Sequence, residues 1–214
     1  MRLFLSSYGI GNQPEKLVSL VGVKTPRVAL VSNAADYHDQ PGIVERIERD
    51  TEMFSLLGMK LEPLDLKDYF GKQDKLAEKL KHFDLVWVRG GNVFILRRAM
   101  AQSGFDIEIN KLLTKDSIVY GGYSAGACVL SPTLRGVELC DDPNLSPQGY
   151  LPDILWEGLG LVDFCLVPHY KSDHPESTVI DRVVEYYEHN SMPYEALRDG
   201  ECIVINGTKI ERFS

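Results

Sequence analysis

The sequence predicts an α/β fold: a mostly parallel central sheet with helices on both faces, finished by a C-terminal β-hairpin. Three observations carry that expectation. Short runs such as Val28-Ala29-Leu30-Val31 and Leu85-Val86-Trp87-Val88 are apolar on both faces, as strands covered from both sides must be. They alternate with stretches of helical periodicity, the rhythm of parallel strands joined by crossover helices. Near the C-terminus, Asn206-Gly207 separates two alternating runs and reads as a hairpin turn.

The elements follow in order. Arg2 to Ser7 is the first strand; its apolar run is too short for a signal peptide, and Gly9, Gly11 and Asn12 follow at once. Pro14 to Val21 is a short helix, with Asn12 as its cap and Gly22 as its stop. After the strand at Val28, the apolar residues Ile43, Val44, Ile47, Phe54 and Leu57 recur at helical spacing, and Gly58 ends that helix. Met59 to Leu64 is a third strand and Lys75 to Leu80 a charged helix. Beyond Leu85 to Val88, Gly90-Gly91-Asn92 opens a helix through Met100, and a second runs from Asp106 to Leu113. Ser117 to Tyr120 is a strand. Residues 132–160 carry Pro132, Pro143, Pro147 and Pro152 with little periodicity, an irregular segment of a length that is commonly functional. Phe164 to Val167 resumes the sheet, Thr178 to Tyr187 is helical, Tyr194 to Leu197 is a strand, and Cys202 to Ile205 pairs through the hairpin with Lys209 to Phe213. With no linker, repeat or low-complexity stretch, residues 1–214 read as one domain.

Bulk properties exclude several function classes. The chain has 214 residues, 44% of them apolar, and a formal charge of −8, which speaks against a nucleic-acid groove built from clustered Lys and Arg. No run approaches the roughly 18 apolar residues of a membrane helix. Four cysteines, Cys128, Cys140, Cys165 and Cys202, lack both disulfide-rich density and CxxC spacing. Reduced thiols, a cytoplasmic location and no structural zinc are expected.

Chemistry concentrates at Gly121-Gly122-Tyr123-Ser124-Ala125-Gly126-Ala127-Cys128. It contains G-x-S-x-G between a strand and a small-residue segment able to open a helix, the setting of a nucleophile elbow. There a sharp turn lifts a Ser hydroxyl out of the backbone, and side chains at the flanking glycines would clash with neighbouring elements. A glycine-rich turn with an incidental Ser is the plainer alternative. Serine needs an adjacent base. Among five histidines, His38, His82 and His189 sit in polar or charged surroundings and read as surface residues. His169 follows Val167-Pro168 at the end of an apolar strand, where open α/β sheets bind ligands. His174 competes but lacks the strand. Asp199, at the mouth of the strand from Tyr194, is the candidate acid to orient the base, with Glu195 and Glu201 as rivals and a plain turn as its structural alternative. The backbone N–H groups of Gly91, in a glycine pair at a strand end, and of Ala125 are the candidate oxyanion donors. The order Ser, His, Asp differs from the Ser, acid, His order of an α/β-hydrolase.

Taken together, Gly90-Gly91-Asn92-Val93-Phe94, Gly122-Tyr123-Ser124-Ala125-Gly126-Ala127, Pro132-Thr133-Leu134-Arg135, Pro168-His169 and Leu197-Arg198-Asp199-Gly200 resemble the aspartyl dipeptidases of the peptidase E type, in order and in spacing. The resemblance implies serine peptidases on a flavodoxin-like, class I glutamine amidotransferase-like fold. It implies Ser124 as nucleophile, His169 as base and Asp199 where the family usually has a Glu. Two positions depart. Leu139 stands where the family carries an Asp, with Asp141 and Asp142 close by, and Thr178 stands where an Arg suited to a substrate carboxylate is expected. The resemblance therefore carries the reaction type rather than the aspartyl preference. The expected function is serine-type hydrolysis of an amide bond in a short peptide or acylated small molecule, without metal or cofactor. An esterase or amidase, or a non-catalytic binding protein on the same fold, are the alternatives. An Arg or Lys beside the nucleophile would restore an acidic substrate. Oligomeric state stays open, a homodimer included.

Overall fold

A computed structural model describes residues 1–38 and 40–214, the side chains of residues 40, 41 and 43 excepted, so the Ile43 side chain of the helical pattern lies outside the described residues. In chain order the strands are β1 (Arg2–Ser6), β2 (Arg27–Val31), β3 (Lys60–Pro63), β4 (Leu85–Val88), β5 (Val119–Tyr123), β6 (Cys165–Val167), β7 (Tyr194–Ala196), β8 (Cys202–Asn206) and β9 (Lys209–Phe213). The helices are α1 (Pro14–Val21), α2 (Gln40–Leu56), α3 (Gln73–Leu80), α4 (Val93–Ser103), α5 (Phe105–Thr114), α6 (Ala125–Cys128) and α7 (Ser177–His189).

Seven strands form the main sheet in the order β3-β2-β4-β5-β1-β8-β9. The first five in that order run parallel, and β8 and β9 close the sheet as an antiparallel hairpin against β1. Alternation along each strand divides the core between two faces. Leu3, Leu5, Ala29, Val31, Val86, Val88 and Tyr120 pack with α3, α4 and α5 on one face. Phe4, Val28, Leu30, Leu85, Trp87 and Val119 pack with α1 and α2 on the other. Among the described residues no helix is long and apolar enough to cross a membrane.

Local chemistry sets the element ends. Pro14 begins α1, where its missing N–H is no loss, and Gly22 ends it at φ 70° with its N–H bonded to the Val18 carbonyl. Asn12 is not the cap: its N–H donates to the Gly200 carbonyl at 2.8 Å, so it ties α1 to the loop after β7 instead. Asn92 caps α4 as expected, its Oδ1 accepting from the Phe94 and Ile95 N–H groups.

Three further expectations are corrected. The strand before the elbow starts at Val119 and runs through both glycines to Tyr123. The hairpin register pairs Asn206 with Lys209, so its turn is Gly207-Thr208, one residue later than the motif suggests. Most consequentially, β6 does not resume the main sheet. It pairs in parallel with β7 in a separate two-stranded sheet, where apolar character alone cannot distinguish one ladder from another. The proline-bearing segment is irregular as expected but pinned. Arg98, 1% exposed, donates to the carbonyls of Pro143, Leu145 and Asp153 at 2.6, 3.2 and 2.8 Å.

Candidate active site

The carboxyl ends of β1, β4 and β5 meet at one edge of the sheet and bring Ser7, Gly90-Gly91 and Ser124 together there. Ser124 sits between β5 and α6 at φ 50°, ψ −123°, a backbone conformation rare outside glycine. The turn is sharp because β4 lies close. A Cβ on Gly126 would be driven into the Val88 carbonyl, and one on Gly122 would come within 2.7 Å of the Gly126 carbonyl oxygen. Gly90 is as tight on the other side, where a Cβ would stand 2.9 Å from the Ser124 Cβ. Gly91 has φ 144° and no room for a side chain against the Ala34 carbonyl. Among the described residues, neither the Gly91 nor the Ala125 N–H donates to a backbone acceptor.

His169 follows β6 and Asp199 follows β7, so the small sheet carries both. The His169 Nδ1 lies 2.7 Å from Asp199 Oδ1. Two serines invisible to motif reasoning hold the pair. Ser7 accepts from the His169 N–H at 2.8 Å and donates to Asp199 Oδ1 at 2.7 Å, while Ser172 accepts from the Asp199 N–H at 2.8 Å. Their signal was weak: Ser7 closes the first strand at the same sheet edge, but its partners are far along the chain. The rival acids are engaged elsewhere. Glu201 pairs with Arg212 and accepts from the Arg198 N–H, and Glu195 also faces Arg212.

His169 is 1% exposed, and burial lowers its pKa below the usual histidine value; the bond to Asp199 opposes that shift and His174 adds to it. The His174 ring stacks on His169 with centroids 3.7 Å apart and planes 7° from parallel, and Tyr8 meets His169 edge-on. His169, His174 and Glu176 bring three potential metal-ligand atoms within 4.8 Å of one another. The stack argues against a shared ion, because imidazole lone pairs lie in the ring planes and these planes are parallel. Cys128 is buried and its thiol pushed well above its ordinary value, so it is no substitute nucleophile.

Ser124 and His169 line one cavity of about 600 Å³; among the described residues no hydrogen bond joins their side chains. His38, expected at the solvated surface, lines this cavity too, because Asn33–Ala35 turns the chain back over the sheet edge. Charges of both signs line it: Arg46, Arg49 and Glu45 from α2, Arg89 after β4, and Asp141 and Glu176, with Arg49 paired to Glu45. Arg89 is fixed by Tyr123, whose hydroxyl accepts from Nε at 3.1 Å, and by Asp50 at 3.2 Å. Asp141 accepts from the Val93 N–H at 2.7 Å. Its pKa is raised to about 7, chiefly by burial, with the charge of Glu176 adding and the Val93 bond opposing. A smaller cavity of about 30 Å³ adjoins the elbow and is bordered by Gly91, Ser124, Ala125 and Asp141.

Comparison with known proteins gives a consistent result. The model of the family described as Peptidase family S51 matches residues 8–213. A Streptomyces coelicolor protein named Peptidase E is 32% identical over 68% of this chain and 58% of its own. A Drosophila melanogaster protein named as a probable alpha-aspartyl dipeptidase is 28% identical over 92% of this chain and 75% of its own. A crystal structure of a candidate peptidase E from Listeria monocytogenes superposes with a TM-score of 0.78 at 23% identity, covering 99% of this chain and 97% of that one, a likeness of fold.

Proposed function

The chain belongs to peptidase family S51 and is a serine peptidase, and we propose that Ser124 is its nucleophile, His169 its base and Asp199 the acid that orients the base. The observation that carries this reading is Ser124 itself. A non-glycine residue held at φ 50° costs of order 1–3 kcal/mol, and such strain persists where function uses it. This one borders the same cavity as a buried imidazole bonded to a carboxylate.

In the proposed reaction the Ser124 hydroxyl attacks the substrate carbonyl carbon. Asp199 accepts a hydrogen bond from the Nδ1–H of His169, which leaves the Nε2 lone pair to receive the hydroxyl proton. The depressed basicity of His169 keeps it neutral and ready near pH 7. The N–H groups of Gly91 and Ala125 receive the charge that develops on the carbonyl oxygen, where one such donor contributes on the order of 3 kcal/mol. His169 then returns its proton to the leaving amine, and water, activated by the same imidazole, releases the acyl group from Ser124.

The substrate we propose is a short peptide bearing a carboxylate. Thr178 lacks the guanidinium that the family resemblance leads one to expect, but Arg46, Arg49 and Arg89 line the cavity and offer it from other elements. Ser124→Ala is expected to keep the far-ultraviolet dichroism of the wild type while losing dipeptide turnover and covalent labelling by a fluorophosphonate. Undiminished turnover in that variant would refute the assignment. Ester and dipeptide substrates assayed in parallel separate peptidase from esterase chemistry.

A further inference from the structure

Asp199 fixes one atom of the His169 ring, at Nδ1. A single hydrogen bond tolerates a range of angles, so the ring can still tilt about that atom and carry Nε2 away from Ser124. Proton transfer to and from a base needs the whole ring held in place, because small misplacements of a reacting group are costly in rate. Whatever lies against the face of the imidazole therefore bears on the reaction.

The half-buried His174 lies against that face. The two rings are parallel within 7° and their centroids are 3.7 Å apart, which is van der Waals contact. The chain is strained where it turns back to allow this. His169 at φ 60° and Lys171 at φ 48° both occupy the left-handed region, which residues other than glycine rarely adopt. The returning segment is tied down between β6 and α7. The Ser172 N–H donates to Ser177 Oγ at 3.2 Å, and the Ser172 hydroxyl donates to the Tyr170 carbonyl at 3.3 Å. The Glu176 N–H donates to His174 Nδ1 at 3.3 Å. An accepting Nδ1 leaves the ring proton on Nε2, so His174 presents a neutral imidazole to His169. Tyr8 meets both rings, its centroid 6.1 Å from His169 and 5.9 Å from His174.

We propose that His174 is a positioning residue: its flat ring holds the plane of the His169 imidazole, so that Nε2 stays aimed at the nucleophile through both proton transfers. This rests on the assignment of Ser124 as nucleophile and His169 as base, and adds a residue that acts through the base. The stack also suits the charge that His169 acquires. When it takes the Ser124 proton, the imidazolium lies over the face of a neutral aromatic ring, which attracts a cation.

His174→Ala, His174→Leu and His174→Phe separate a need for a plane from a need for bulk. The readouts are kcat and KM on a dipeptide, and the rate of fluorophosphonate labelling at Ser124, which needs the base but no peptide. In His174→Ala, kcat and the labelling rate should fall together by about 10–100-fold, as for a misplaced catalytic group, with KM little changed. His174→Leu should be as slow, whereas His174→Phe should recover most of both rates. Should His174→Ala melt below the assay temperature, the comparison of His174→Leu with His174→Phe decides the matter. Equal recovery by Leu and Phe would mean that the site needs bulk alone. A raised KM with unchanged labelling would place His174 in substrate binding. Wild-type kcat and labelling in His174→Ala would leave the base independent of the stack. Each of these three results overturns the proposal. A wild type that does not label at Ser124 defeats the nucleophile, whereas a labelled wild type beside an unslowed His174→Ala defeats the positioning role alone.

Discussion

The candidate residues Ser124, His169 and Asp199 stand out one at a time because each has a local signature: a serine between glycines, a histidine ending an apolar run, an acid before a glycine. The residues that hold them were not. Ser7 bonds to the His169 N–H and to Asp199 across sequence separations of 162 and 192 residues, and no pattern around Ser7 announces either partner. The arginines of the cavity were equally hidden: Arg46 and Arg49 stand among Glu45, Glu48 and Asp50, with nothing in the sequence to mark them for a site. The balance at His169 gives a prediction with a definite sign. Burial lowers its pKa and Asp199 partly restores it. In the wild type kcat/KM should hold at pH 7 and fall only as the pH drops below the ordinary histidine range near 6.5. Asp199→Asn removes the restoring influence. Its acid limb should move to lower pH still, and its plateau should drop by about 10⁴-fold, as loss of an orienting carboxylate does in other triads. An acid limb that moved upward in pH–rate measurements would show that Asp199 does not act on His169 as described.

Element boundaries followed from punctuation in the sequence wherever one residue decides them. Pro14, Gly22 and Asn92 each mark a helix end by a local mechanism, and the helices fall where these residues put them. Sheet membership has no such marker. A run as short as Cys165–Val167 is apolar whether it joins the main sheet or a two-stranded one, and only the tertiary fold decides. The elbow shows the opposite case, an element whose geometry follows from two missing side chains. With α6 packed directly on the end of β4, Gly126→Ala should force the helix away from the Val88 carbonyl. Overpacking of this kind costs about 1–3 kcal/mol. Chemical denaturation should show that loss, and turnover should fall further than stability does, because the displaced helix carries the Ala125 N–H. Full activity in a destabilised Gly126→Ala would mean that the elbow tolerates a looser turn than proposed.

Across the whole molecule, the partly buried Asp141 carboxyl makes stability depend on pH. The Asp141 carboxyl binds its proton more tightly in the folded chain than in the unfolded one, with a pKa of about 7 against the ordinary carboxylate value. Its contribution to stability is therefore complete at low pH and is lost as the pH rises toward and through about 7. Asp141→Asn should melt at a higher temperature than wild type at pH 8 and near the same temperature at pH 4. A pH-independent difference between the two proteins would show that burial does not govern this carboxyl. The strand order has a consequence of another kind, in time rather than in energy. β1 precedes both of the strands it lies between, β5 and β8, to which Leu3 pairs through Tyr120 and Ile205. β5 begins only at Val119 and β8 at Cys202, so each ladder waits for a long stretch of chain before it can close. Such long-range pairings slow folding. Because Ser7, just after β1, also bonds to His169 and Asp199, that pair is assembled only when segments far apart in the chain meet. On the proposed assignment, a nascent chain that already displays Ser124 lacks the His169–Asp199 pair, and activity should appear only once the segments after β1, β6 and β7 have met.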